Sequence, residues 1–92
     1  MSEFRKKPIV INAIQYTGSN WLAVWDWHIA LRTKFGDKMQ GAFFERDDGS
    51  GVTVGTKEGQ MLASPNDWII RGVAGELYPC KPDIFVATYD AA

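Results

Sequence analysis

One cysteine and one histidine carry the most obvious chemistry in this 92-residue chain. Cys80 sits in Pro79-Cys80-Lys81-Pro82, and His28 in the apolar stretch Trp25-Asp26-Trp27-His28-Ile29. A thiol attacks as the thiolate, so a catalytic or redox Cys80 needs a nearby base or cation to lower its pKa. His28 is the one imidazole for that role, with Asp26 or Asp83 as an orienting carboxylate. No thiol-hydrolase signature surrounds Cys80, and a half-buried cysteine used as a small hydrophobe beside Pro79 and Pro82 is the simpler reading. A disulfide to a partner is a third. For His28, a satisfied near-core histidine is the plain alternative to catalysis or pH sensing.

Metal and phosphate sites fare worse. Zinc needs three or four ligands, and one Cys plus one His cannot supply them. Asp47-Asp48-Gly49-Ser50-Gly51 lacks the alternating oxygen ligands and distal Glu of a calcium loop. In Gly51-Val52-Thr53-Val54-Gly55-Thr56-Lys57-Glu58-Gly59 the spacing is wrong for a P-loop, and hairpin turns account for the glycines. No catalytic residue, metal or cofactor is therefore expected. A polar group held between turns and prolines, Glu76, Tyr78, Lys81 and Asp83, can line a ligand cleft or a protein-binding edge. It can equally be a self-satisfied network fastening the last strand. With Cys80 and an outward-facing Trp27, these residues form the candidate ligand- or partner-binding set.

The elements that must position them follow from periodicity. Pro8 to Tyr16 is rich in β-branched residues and reads as a strand packed on both sides at its start. Gly18 permits a turn, and Ser19 or Asn20 can cap a helix over about Asn20–Lys34, stopped by Gly36. On that helix Trp21, Leu22, Val24, Trp25, His28, Ile29 and Leu31 sweep one broad face, leaving Ala23, Asp26, Trp27 and Ala30 opposite. Short strands follow at Ala42–Arg46, Val52–Val54, Gln60–Ala63, Trp68–Val73, Glu76–Pro79 and Val86–Asp90, separated by Gly, Pro, Asn and Asp turns. Trp68–Val73 is the expected central strand. Cys80 to Phe85 reads as a short helical turn or irregular crossing, because its prolines cannot donate to a ladder. The fold expected is α+β: a strongly bent antiparallel sheet or partly open barrel, with one covering helix, in a single domain spanning 1–92.

Composition narrows the partners. Hydrophobic residues make up 46% and aromatics 13%, including four tryptophans, so the chain is globular rather than disordered. Ten basic and eleven acidic residues leave a net charge of −1, which gives no field for nucleic acid or an anionic membrane. Arg5-Lys6-Lys7 is a local basic cluster that reads most simply as a solvated flank. No run approaches the ~20 apolar residues of a membrane span, and no secretory leader precedes the first strand. A lone cysteine suits a reducing compartment. Trp27 and open strand edges together favour a homodimer or higher homo-oligomer.

Both ends of the chain carry a recognisable pattern. Phe4-Arg5-Lys6-Lys7-Pro8-Ile9-Val10-Ile11-Asn12-Ala13-Ile14-Gln15-Tyr16-Thr17-Gly18 and the stretch from Ser64 to Tyr89, "SPNDWIIRGVAGELYPCKPDIFVATY", resemble a family of small phage and prophage proteins. The match covers about half the chain. It departs at Asn66, where the family usually has Gly, but Asn also tolerates a left-handed turn. The resemblance implies a setting, a phage-encoded protein in the host bacterial cytoplasm, and brings no catalytic residues. With no catalytic set in view, the function expected is a non-enzymatic accessory factor that binds a host protein or small ligand, in host takeover or anti-defence. The alternatives are a small Cys-dependent enzyme or redox protein using Cys80 with His28, and a structural or assembly role in the virion.

Overall fold

A computed structural model describes residues 2–4, 9–36, 43–46, 49–56 and 58–90. Arg5-Lys6-Lys7, Pro8, Ala42 and Asp47-Asp48 lie outside the described residues. The elements run β1 (Asn12–Gln15), α1 (Trp21–Phe35), β2 (Phe43–Glu45), β3 (Val52–Thr56), β4 (Gly59–Ala63), β5 (Trp68–Arg71), β6 (Leu77–Cys80) and α2 (Pro82–Thr88). The α+β architecture matches expectation, with five strands after α1 among the described residues. The strands form two antiparallel three-stranded sheets, β1-β5-β6 and β2-β3-β4, and neither closes into a barrel.

β5 is central, as its run of Trp68-Ile69-Ile70 suggested, pairing β1 through Ile14↔Ile69 and β6 through Ile70↔Tyr78. Alternation gives this sheet two distinct faces. Ile14, Ile69, Arg71 and Leu77 point inward; Ala13, Trp68, Ile70, Tyr78 and Cys80 point outward. The inner face meets the core, where Tyr16, Val24, Val52, Val54, Ala63, Ile69 and Leu77 are buried together. Each large apolar side chain there contributes about 1.5–3 kcal/mol by leaving water. Val52 and Val54 come from β3, and β6 lies against β3 and β4, so the second sheet forms the far wall.

Turn chemistry holds the sheets in register. Gly51, at φ 146°, leads into β3 where a Cβ would stand 2.2 Å from the Ala63 carbonyl oxygen, so only glycine fits. Asn66 takes φ 79°, the left-handed conformation its type allows. The Ser64–Asp67 turn is clipped to the end of β1: the Tyr16 N–H donates to Asp67 O (2.9 Å), and the Asn66 N–H donates to Tyr16 O.

Three local expectations change. β1 begins only at Asn12, and Ile9 and Val10 are exposed rather than packed on both sides. α1 starts where expected, but the Asn20 side chain does not cap it. It reaches back instead, accepting from the Thr17 N–H (2.8 Å) and donating to Gln15 O (2.8 Å). The expected closing strand Val86–Asp90 is mostly helix, so two helices flank the sheets rather than one. Pro82 stands in the first turn of α2, where no N–H is needed, and Asp83 there favours the positive helix end. Pro79 lies in β6, an outer strand of its sheet, which tolerates the missing donor.

Candidate functional site

The outward face of β5 presents Trp68, and α2 brings Phe85 and Tyr89 over it. Their spacing of four places both rings on one side of the helix. Trp68 and Phe85 stack with centroids 4.0 Å apart and planes 5° from parallel, and Phe85 meets Tyr89 at 5.1 Å, tilted by 37°. The Tyr89 hydroxyl is 3.3 Å from the Tyr78 hydroxyl on β6. Burial, and then this bond, push the Tyr78 phenol above its usual range, so it stays neutral. Between this aromatic wall and the chain entering β1 lies a groove of about 330 Å3, lined by Ile9, Val10, Ile11, Ala13, Trp68, Phe85, Tyr89 and Asp90. Among the described residues no Lys, Arg or His lines it. Asp90 is exposed and makes no hydrogen bond or ion pair among the described residues.

The polar candidates disperse. Glu76 folds back over its own turn, accepting from the Ala74 N–H (3.1 Å). Lys81 Nζ donates to Asp67 Oδ2 (3.0 Å), joining the Ser64 N–H (2.9 Å) on a carboxylate whose side chain is 5% exposed. Asp83 is exposed at the start of α2. Tyr78 goes to Tyr89. Glu76 and Tyr78 do share a second groove of about 230 Å3, with Thr56, Glu58, Met61 and Leu77, where β4 and β6 meet. Lys81 and Asp83 are not part of it. The described contacts thus join these four residues neither into one cleft nor into one network.

Cys80 and His28 are not brought together. Cys80 faces outward opposite Trp68, at the far end of the β5–β6 ladder from Arg71, roughly 10 Å along at three residues' rise. His28 lies on the inner side, against Arg71. The Cys80 thiol is half-buried and donates weakly to Lys81 O (3.6 Å). Burial, and then Asp67 and Asp83, push its pKa up, the opposite of what a nucleophile needs. Trp27, expected on the outer side of α1, is half-buried and packs against the core. The helix is rotated from the expected orientation, so Leu22, Trp25 and Ile29 face out instead. The apolar arc of α1 is wider than this small core can cover.

Two features escaped the sequence reading. Arg71 is fully buried: its Nη1 donates to Gly75 O (2.6 Å) and its Nη2 donates to His28 Nδ1 (3.1 Å). Since a guanidinium only donates, Nδ1 accepts and the neutral His28 carries its proton on Nε2. Burial, then the charges of Arg71 and Arg32, lower the His28 pKa. His28 is thus a satisfied near-core histidine. The other feature is the aromatic wall. Its signal was present as Pro82-Asp83, a helix start, followed by Phe85 and Tyr89 four apart.

Among the described residues no helix is long and apolar enough to cross a membrane, and no cluster of His, Cys, Asp and Glu is placed to hold a metal. No protein-family model, curated protein or solved structure matches the chain. The resemblance to phage proteins remains a reading of its two end motifs.

Proposed function

We propose that the chain is a non-enzymatic accessory binding protein of a phage or prophage, acting in the host bacterial cytoplasm, and that it binds a small ligand in the groove beside α2. One observation carries this reading. The groove of about 330 Å3 combines apolar side chains, three clustered aromatic rings and, among the described residues, a single carboxylate, in the size range of small-molecule sites. The stacked Trp68 and Phe85 hold their rings before any ligand arrives, which lowers the ordering cost of binding. The separation of Cys80 from His28 supports the non-enzymatic side.

Native mass spectrometry of the purified protein tests the reading. A small molecule carried by the wild type and lost from Phe85→Leu is the expected result. A wild type that carries nothing, from host lysate or after incubation with host metabolite extract, would count against it. Labelling of Cys80 across pH checks the enzymatic alternative. The thiol should stay unreactive below about pH 8 while the fold is intact.

A second reading, self-association, has its own support. Leu22 (77% exposed), Trp25 (41%) and Ile29 (40%) share one side of α1. A second copy covering that side would bury three large side chains. Light scattering at high micromolar concentration should then show a dimer that Leu22→Lys dissociates; a monomeric wild type refutes it.

A further inference from the structure

Resting on the small-ligand reading above, the chemistry of the groove beside α2 narrows what it accepts. Its walls offer aromatic rings and aliphatic groups: Trp68, Phe85 and Tyr89 on one side, Ile9, Ile11 and Ala13 on the other. Ring faces carry negative quadrupole charge and attract cations. Among the described residues that line the groove, Asp90 is the one carboxylate and none is basic. Asp90 also has no hydrogen bond or ion pair within the described residues. The Tyr89 hydroxyl lies 3.3 Å from the Tyr78 hydroxyl, and either can donate to the other.

Each alternative ligand charge meets a specific obstacle. An anion such as a phosphate or carboxylate would face Asp90 with no guanidinium or ammonium among the described lining residues to receive it. A neutral apolar ligand would strip water from Asp90 and return nothing for the lost hydration. A positive charge on an apolar body satisfies both walls and carboxylate. We infer that this groove binds a compact organic cation, a protonated or quaternary amine carried on an apolar or aromatic body.

Three probes of similar size and different charge test this: phenyltrimethylammonium, N,N-dimethylaniline, which is neutral at neutral pH, and benzoate. Each is titrated into the 15N-labelled full chain, and affinity is read from amide shifts at residues 9–13 and 84–90. The cation should bind about fivefold tighter than either of the others, a modest cation–π and ion-pair contribution at a half-open site. Asp90→Asn should reduce that preference to less than about twofold, and added salt should weaken the cation alone. Circular dichroism and the urea midpoint of Asp90→Asn establish that its fold is intact. If the aniline binds as tightly as the cation, if benzoate binds tighter, or if Asp90→Asn leaves the preference unchanged, the cation inference is overturned and the groove reading survives. If none of the three probes shifts these amides, both fall.

Discussion

The inner and outer faces of the β1-β5-β6 sheet place a polar group among hydrophobic neighbours in two opposite ways. Inside, Arg71 lies fully buried beside Ile69 and Leu77, and its guanidinium is held by the Gly75 carbonyl and His28. Outside, Asp90 stands at an aromatic groove with no partner among the described residues. A buried charge is tolerable when its donors are placed, and removing it leaves acceptors stranded. A charge at an open groove costs the fold little because water still reaches it. The difference sets the stability of the inner face against the recognition proposed for the outer one.

Exchanging Arg71 is the most direct way to break that contrast. Arg71→Met should lower unfolding free energy by about 3 kcal/mol in urea titration, since the Gly75 carbonyl and His28 Nδ1 lose their donor in a dry setting. A loss below about 1 kcal/mol would show the inner network to be ornamental and erase the distinction between faces. Gly51→Ala attacks the inner side from the second sheet. Its Cβ meets the backbone oxygen of Ala63, which cannot step aside as a side chain can. A loss of about 2 kcal/mol is expected, with the shifts of groove amides confined to general destabilisation.

Phe85→Leu attacks the outer face and should separate stability from binding. The stacked partner of Trp68 is lost, yet an aliphatic side chain of similar size still covers the sheet. Stability should fall by about 1 kcal/mol, while any groove ligand detected by native mass spectrometry disappears. A variant that keeps its ligand would move the binding surface away from α2.

How far these faces could be read in advance depends on which periods compete. β5, the two hairpins and the Asn66 turn were legible because β-branched runs and turn residues admit one solution each. Phe85 and Tyr89 were not, because a spacing of four serves both periods: two repeats of a strand and about one turn of a helix. Val86, Thr88 and Tyr89 favour strand by type, yet Pro82 and Asp83 start a helix that then packs Phe85 on Trp68. Trp27 was misjudged for a different reason. Seven apolar or aromatic positions of α1 span more arc than one small core covers, and the hydrophobic pattern alone does not say which edge is left outside. Arg71 was overlooked because a strand pattern reveals a charge without revealing the carbonyl and imidazole that neutralise its burial.

The smallest effect is the pH dependence that His28 should give the inner face. Its imidazole accepts from Arg71 Nη2, so protonation would place a second positive charge against a buried guanidinium. Desolvation, then Arg71 and Arg32, hold its pKa below 6.5 in the folded state. In the unfolded chain it returns to about 6.5. Between the two values the unfolded state binds more protons, so acid favours unfolding. The stability tied to neutral His28 is therefore complete above about pH 6.5 and is lost as pH falls through the folded value. Urea midpoints should decline across that window. In His28→Gln, which keeps an acceptor for Arg71 without a titrating ring, this part of the decline should vanish, while Asp90→Asn on the outer face should leave it in place. A profile unchanged in His28→Gln would mean that the imidazole does not report on the buried arginine.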